Sequence, residues 1–533
     1  SMIERVEVMR GGGSALFGSS AIAGTINIIT KEPLRNSGQL SHTLTALGGG
    51  SSFDNNTSLN ASLVTDDHRA GLYIFGQNRH RSGYDYDGDG FTELPKLKNQ
   101  TVGFRSYLKT STYSKLTFEY HHMQEFRRGG DMLDRPPHEA HIAEQLQHSI
   151  DGGSLKFDYF SPDEKNRLSI FASAANTDRD SYYGPGNDPL KAYGKTTDLT
   201  AMGGAQYVHT FDKCFFMPSD LTAGLEYNRD RLKDNMWGYD RHTDQTVNIY
   251  SAFLQNEWKN DRWGILIGGR LDKHNMVDNV IFSPRANLRF NPTQNINLRL
   301  SYSSGFRAPQ AFDEDMHIEN VGGTVAMIER AKNLKEEKSQ SFSASADMYH
   351  RFGVFQTNFL IEGFYTRLTD VFVLGEPYDR GDGILVKTRS NGPGAKVMGL
   401  TLEGKVAYLS ILQIQAGLTL QRSRYDEPHK WHDDAPAEKK IFRTPDTYGY
   451  FTATYTPIKP LSIALSGTYT GRMLVQRMDI TAENAELGAM PERKAEAIRT
   501  PRFFDLGVKL AYDFKLCKTV DLQLNGGVQN LFE

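Results

Sequence analysis

Apolar and polar residues alternate along most of this chain. Leu59, Ala61 and Leu63 are interleaved with Ser58, Asn60 and Ser62. Ile296, Leu298, Leu300 and Tyr302 alternate with Asn297, Arg299, Ser301 and Ser303. The same holds for Leu412, Ile414, Ala416, Leu418 and Leu420, and for Leu461, Ile463, Leu465 and Tyr469. A period of two puts successive side chains on opposite faces of a strand, so each segment has one apolar and one polar face. The runs last about ten residues, enough to cross an outer membrane with lipid outside and water inside.

This pattern predicts about 21 strands between residues 38 and 530. The connections alternate in length. Longer ones are predicted at 49–55, 80–98, 125–146, 179–194, 234–245, 307–337, 369–394, 426–445 and 473–502; between them lie turns such as 66–67, 112–113, 260–261 and 353. Short turns at one rim and long loops at the other are the habit of a membrane barrel. A propeller would repeat blade by blade, and a sandwich of this length would need several domains and linkers; the sequence shows neither. Trp258 and Trp263 flank the turn Asn260–Asp261, as in an aromatic girdle at the short-turn rim or the core of a hairpin.

The opening stretch, Ile3 to Lys31, is different. Two short alternating strands, around Val6 and Val8 and around Ile26 and Ile28, flank a glycine-rich turn with Gly11, Gly12, Gly13, Gly18 and Gly24. Gly13 to Ser19 has phosphate-loop spacing, but Gly18 stands where the lysine is required, and no long helix follows. The stretch closely resembles the C-terminal end of the plug domain of TonB-dependent outer-membrane transporters. Gly305-Phe306-Arg307-Ala308-Pro309 resembles the motif that ends a mid-barrel strand in that family. Asn333-Leu334-Lys335-Glu336-Glu337 is similar to a second family element, without its prolines.

The resemblance implies an all-β fold: a large antiparallel transmembrane β-barrel of the 22-stranded type, with the C-terminal fragment of a plug domain inside. Residues 1–33 are then the end of the plug. Residues 34–533 are the barrel lacking its last strand, since such barrels carry an even number. Arg5, Glu7 and Arg10 would lie in the plug, against the polar barrel wall or in ordinary surface pairs. The resemblance places the protein in the bacterial outer membrane, in contact with lipid. It implies a TonB-type energy-coupling partner, whose contact region is expected to precede residue 1, and allows a surface lipoprotein as a further partner.

Composition changes this picture little. Of 533 residues 38% are hydrophobic and 11% aromatic, and the mean hydropathy is -0.52. A barrel with a polar lumen and polar loops fits, and no apolar run is long enough for a membrane-crossing helix. The formal net charge of -3 lacks the basic surplus of a nucleic-acid binder, so no nucleic-acid partner is expected. Cys214 and Cys517 show no metal spacing and fall in distant turns, so no disulfide is expected.

Candidate chemistry lies in the loops. Asp85, Asp87, Asp89, Gly90 and Glu93 alternate as oxygen ligands do around calcium, though position twelve is Lys96 and no helices flank the loop. The alternative is a solvated acidic loop. Cobalamin transporters of the family order acidic loops with calcium, and this loop is similar in character. His317 lies between the two family motifs at 305–309 and 333–337, where haem receptors of the family can place an iron ligand; otherwise it is a solvated loop histidine. Arg127 and Arg128, Tyr182 and Tyr183, Trp237 and Tyr239 with Arg241 and His242, and His429 with Trp431 and His432 offer cations and rings suited to flat anionic cargo, as Arg307 does; the alternative is ordinary surface-loop composition.

No nucleophile–base pair or zinc-protease motif points to an enzyme. The expected function is TonB-dependent uptake of a scarce large nutrient, an iron–siderophore or haem. The alternatives are a cobalamin transporter with calcium-ordered loops and a passive porin-like channel. No cofactor is required, and calcium in loop 80–98 is the one ion considered.

Overall fold

A computed structural model describes residues 3–10, 13–22, 24–185, 192–321, 324–432, 435–480 and 493–532. Twenty-two strands join one antiparallel sheet rolled into a barrel. One of them, Glu438–Lys440, has three residues and rides on the end of Leu412–His429, which leaves 21 long strands. They run from Ser37–Leu47 to Asp521–Val528. Among the described residues, the first of these pairs only with Ser52–Val64 and the last only with Phe503–Lys515. A seam lies between them, and along it almost every residue of both strands is exposed.

The alternation read from the sequence decides which way each side chain faces. Leu59, Ile267, Leu300 and Phe342 point outward, each about half exposed or more. On the inner wall of the same strands lie Arg270 and Asp272, both buried, and Ser301 and Ser343, which are direct cross-strand partners. No helix of the described residues is long and apolar enough to cross a membrane. The outer face is instead the apolar surface that lipid covers in a barrel. At the short-turn rim Trp258 stacks on Phe216, and Trp263 on Phe290 with ring centroids 4.3 Å apart. The Trp258 Nε1–H donates to the Cys214 carbonyl at 3.0 Å, which gives the ring's polar edge a partner. Cys214 and Cys517 are free thiols.

The opening segment lies in the bore. Ile3–Arg10 and Gly24–Thr30 form a separate antiparallel pair, joined through a one-turn helix, Ser14–Phe17. Met9, Gly13 and Ala15 face the inward residues Arg285, Arg299, Ser301, Ser343 and Glu362 across a shared cavity. The Phe306 N–H donates to Ser14 Oγ at 3.0 Å, the Ser20 N–H to the Phe306 carbonyl at 2.9 Å, and the Ser339 hydroxyl to the Ile22 carbonyl at 2.8 Å. Gly305 is required by this contact, because a Cβ there would sit 2.7 Å from the Ala21 carbonyl oxygen. Glu32 pairs with Lys115 at 3.1 Å and Arg105 at 3.4 Å. Arg5 and Glu7 bond to each other at 2.8 Å rather than to the wall, and Asn27 donates to Glu7; the Arg10 side chain lies outside the described residues.

Two expectations need correction. The strands reach farther above the membrane than the apolar pattern does. Ser114–Gly130, Ile142–Phe160, Asn166–Pro185, Tyr193–Cys214 and Arg241–Lys259 all extend beyond their predicted ends, because backbone pairing continues where lipid no longer selects apolar residues. Arg127 and Arg128 are therefore strand residues. The segments predicted as plain connections at 307–337, 369–394 and 473–502 also carry strands of their own. Glu319–Val321, Thr324–Arg330, Leu385–Asn391 and Phe372–Asp379 form a four-stranded sheet at the mouth, in that order. Its central pair, Thr324–Arg330 with Leu385–Asn391, is parallel and joins two different loops. Leu474–Ile480 and Arg493–Arg499 form a further hairpin.

The loop between Ser114–Gly130 and Ile142–Phe160 turns on Asp131. Burial acts to raise its carboxyl, but the Ile142 N–H and His141 Nδ1, at 3.1 and 2.6 Å, outweigh this and hold it below the usual carboxylate range. A depressed folded value contributes stability that is complete above the unfolded value and lost as pH falls through the folded one. The protection factors of amides in loop 131–141, corrected for the intrinsic exchange rate at each pH, should therefore hold from neutrality down to about pH 4 and fall below it. Gly18 generates a second prediction. Its φ of 73° and ψ of -147° lie where only glycine is at ease, and a Cβ would stand 3.1 Å from the Arg270 guanidinium. Gly18→Val should loosen the opening segment by about 1–3 kcal/mol, read as faster proteolysis of residues 3–30 with the barrel intact.

Candidate functional site

Two cavities open at the long-loop mouth, of about 820 and 520 Å³. They share Arg127, Glu144, Leu146, Tyr183 and His317. The wall strands supply inward positions at a period of two: Glu125 and Arg127; Glu144, Leu146, His148 and Ile150; Arg179 and Tyr183. The loops close the other side, with Ile328, Leu374, Arg389, Arg443 and Gln476 on the larger cavity. The smaller one reaches Thr92, Glu93 and Pro95.

His317 is exposed and follows a one-turn helix, Asp313–Met316. Its ring meets Tyr183 edge-on at 5.2 Å. The backbone just before it is clamped to the wall. Arg241 Nη2 donates to the Met316 carbonyl and to Asp234, both at 2.8 Å. Asp315 pairs with Arg389 at 2.9 Å, and all four of these charged side chains are buried. Arg330 donates to Gln245 Oε1 at 2.9 Å and to the Pro309 carbonyl at 3.0 Å. Burial lowers the Arg330 pKa, against the pull of Asp315. Buried charges held this way fix a loop in place, since removing one partner strands the other. Tyr239 extends the support: it is buried, and its hydroxyl donates to the Tyr183 carbonyl at 2.7 Å.

The other candidate residues are placed as follows. Arg127 lines both cavities and pairs with Glu125 at 2.6 Å. Arg128 points to the opposite strand face and is fully buried, donating to the carbonyls of Gly129 and Asp131. Arg307 lies over the rings of Phe312 and Phe372, at 3.9 and 5.5 Å from their centroids, and lines neither cavity. Trp237 is exposed beside the mouth and lines neither cavity. Arg179, Arg389 and Arg443 are among the lining residues that the sequence-based site lacks. Counting inward positions from the apolar face would have found the one on a wall strand; nothing in the local sequence marks the other two.

Asp85, Asp87, Asp89 and Glu93 do converge. One oxygen from each lies within 4.8 Å of the others. Asp85 accepts the N–H groups of Gly88 and Gly90, Asp89 that of Phe91 and Glu93 that of Tyr86. A bridge between Tyr84 and Leu94 closes the loop.

Comparison with known proteins agrees with this architecture. The family model for the TonB dependent receptor-like β-barrel matches residues 27–531. The iron-regulated outer membrane virulence protein of Vibrio cholerae is 26% identical over 320 residues, 58% of this chain and 45% of that protein. The vitamin B12 transporter BtuB of Vibrio vulnificus is 24% identical over 328 residues, 58% of this chain and 48% of that one. The chain thus matches about half the length of these curated relatives. The siderophore receptor PirA of Acinetobacter baumannii superposes with a TM-score of 0.77 at 16% identity, covering 100% of this chain and 81% of that one. The ferric-catecholate import receptor Fiu of E. coli gives 0.70 at 14%, covering 99% and 82%. Family barrels of this kind are outer-membrane proteins of Gram-negative bacteria. The barrel, the bore-filling segment and the family match over almost its whole length together make this chain a member of the TonB-dependent receptor family.

Proposed function

We propose that this chain is the barrel and inner segment of a receptor that takes up a ferric siderophore across the outer membrane. Transport would be driven by a TonB-type energy-coupling protein. The observation that carries this reading is the larger mouth cavity, which gathers Arg127, Arg179, Arg389 and Arg443 with His317 and Tyr183. Guanidinium groups and rings at the neck of a wide cavity suit a compact anionic chelate. The structural likeness to receptors named for siderophores is consistent with it. A passive channel accords poorly with a bore that holds Ile3–Arg10, Ser14–Phe17 and Gly24–Thr30.

Two further readings each have an observation in their favour. The exposed His317 imidazole could ligate haem iron. The converging carboxylates of Asp85, Asp87, Asp89 and Glu93 suit a cobalamin receptor whose loop is ordered by calcium, and Glu93 lies on the smaller cavity.

A binding panel with ferric siderophores, haem and cobalamin, each with and without calcium, separates the three. The siderophore reading expects a ferric chelate to bind without calcium, and Arg127→Gln, whose charge Glu125 already shares, to weaken it by about threefold. Tight cobalamin binding that appears only with calcium, and falls with Asp89→Asn, would replace it. Haem binding with a Soret band that changes in His317→Ala would favour the iron-ligand reading.

A further inference from the structure

The charges in the larger cavity are unequally compensated. Arg127 is paired with Glu125 at 2.6 Å, Arg389 with Asp315 at 2.9 Å, and Arg179 approaches Asp234 at 4.0 Å. Arg443 differs. It is exposed, and among the described residues its side chain has neither an ion pair nor a hydrogen bond. Its backbone is nevertheless fixed: the N–H donates to the Leu474 carbonyl at 2.8 Å, and φ is 55°. A non-glycine residue at positive φ is held there by its surroundings. The loop that carries Arg443 is thereby tied to the hairpin that carries Gln476, its neighbour on the cavity wall.

Glu144 is the cavity's matching case on the acidic side. It is exposed, lines both cavities, and has no ion pair among the described residues. Arg443 lines only the larger one. The free carboxylate thus stands where the two cavities join, and the free guanidinium stands in the larger cavity alone. An anion in the larger cavity gains most from Arg443, because the other three arginines already spend their charge on protein carboxylates.

We infer that Arg443 is the specificity-determining cation of the mouth: it contacts an anionic oxygen of the cargo and selects negatively charged chelates over neutral ones. This rests on the siderophore reading above and names the charge class within it. Arg443 lies in the connection from Leu412–His429 to Thr447–Ile458, outside the barrel wall, so its replacement leaves the barrel strands untouched.

The test compares wild type, Arg443→Gln and Arg443→Lys in detergent, after heat-modifiable gel mobility has shown that all three barrels are folded. The probes are a ferric tris-catecholate of net charge about -3, a neutral ferric trihydroxamate, and haem with its two propionates. Arg443→Gln should weaken the tris-catecholate by about tenfold and leave the trihydroxamate within about twofold, with Arg443→Lys between wild type and Arg443→Gln. Raising salt should narrow the gap. An unchanged tris-catecholate affinity, or equal losses for both chelates, overturns the assignment. A wild type that binds neither chelate removes the siderophore reading. Haem then decides the charge role: weaker haem binding in Arg443→Gln sustains it, and unchanged or absent haem binding overturns it.

Discussion

Backbone hydrogen bonding in a medium without water governs this structure. A strand that crosses lipid must give every N–H and C=O group a neighbour, and a sheet rolled on itself does so while leaving few edges. The consequences follow in order. Each strand must show apolar side chains to one side, the period must be two, and the connections must alternate between tight and long. Ser301 facing Ser343 in the bore while Leu300 and Phe342 face outward is this rule at a single rung of the ladder.

The same rule explains what the sequence made legible and what it hid. The strand count and the membrane face of each strand came from alternation; the position of the opening segment came from its resemblance to the family's plug. Gly305 marks a place where the inner segment and the wall touch too closely for a Cβ, and Gly18 one where the backbone takes a positive φ beside the wall. Above the membrane the rule no longer selects residue type, so the upper strand ends were missed. Arg127 and Arg128 show the cost. Treated as a loop pair they look equivalent; as strand neighbours one faces the cavity and the other is buried against carbonyl groups. His317 could be placed by motif, but not the clamp beneath it. Arg241 lies 75 positions from Met316 and Arg389 lies 74 from Asp315, and only folding unites them.

Energetically the mouth is built differently from the wall. The wall relies on ladders and an apolar exterior. The mouth relies on buried ion pairs and a small apolar cluster around Tyr182, Met236, Tyr239 and Met327. Such pairs add little net stability but penalise alternative arrangements heavily, because any shift leaves a charge without its counterpart. A site with large polar side chains aimed into water can be held in one geometry by this means.

The parallel pairing of Thr324–Arg330 with Leu385–Asn391 has a mechanical consequence. These segments hang from opposite sides of the hairpin formed by Glu337–Phe352 and Phe355–Thr369. Stitched together, they form one small sheet anchored to the barrel at both ends, so neither segment can be displaced without disturbing the other. The clamp on Asp315 and Met316 ties the turn that bears the exposed imidazole to the same unit.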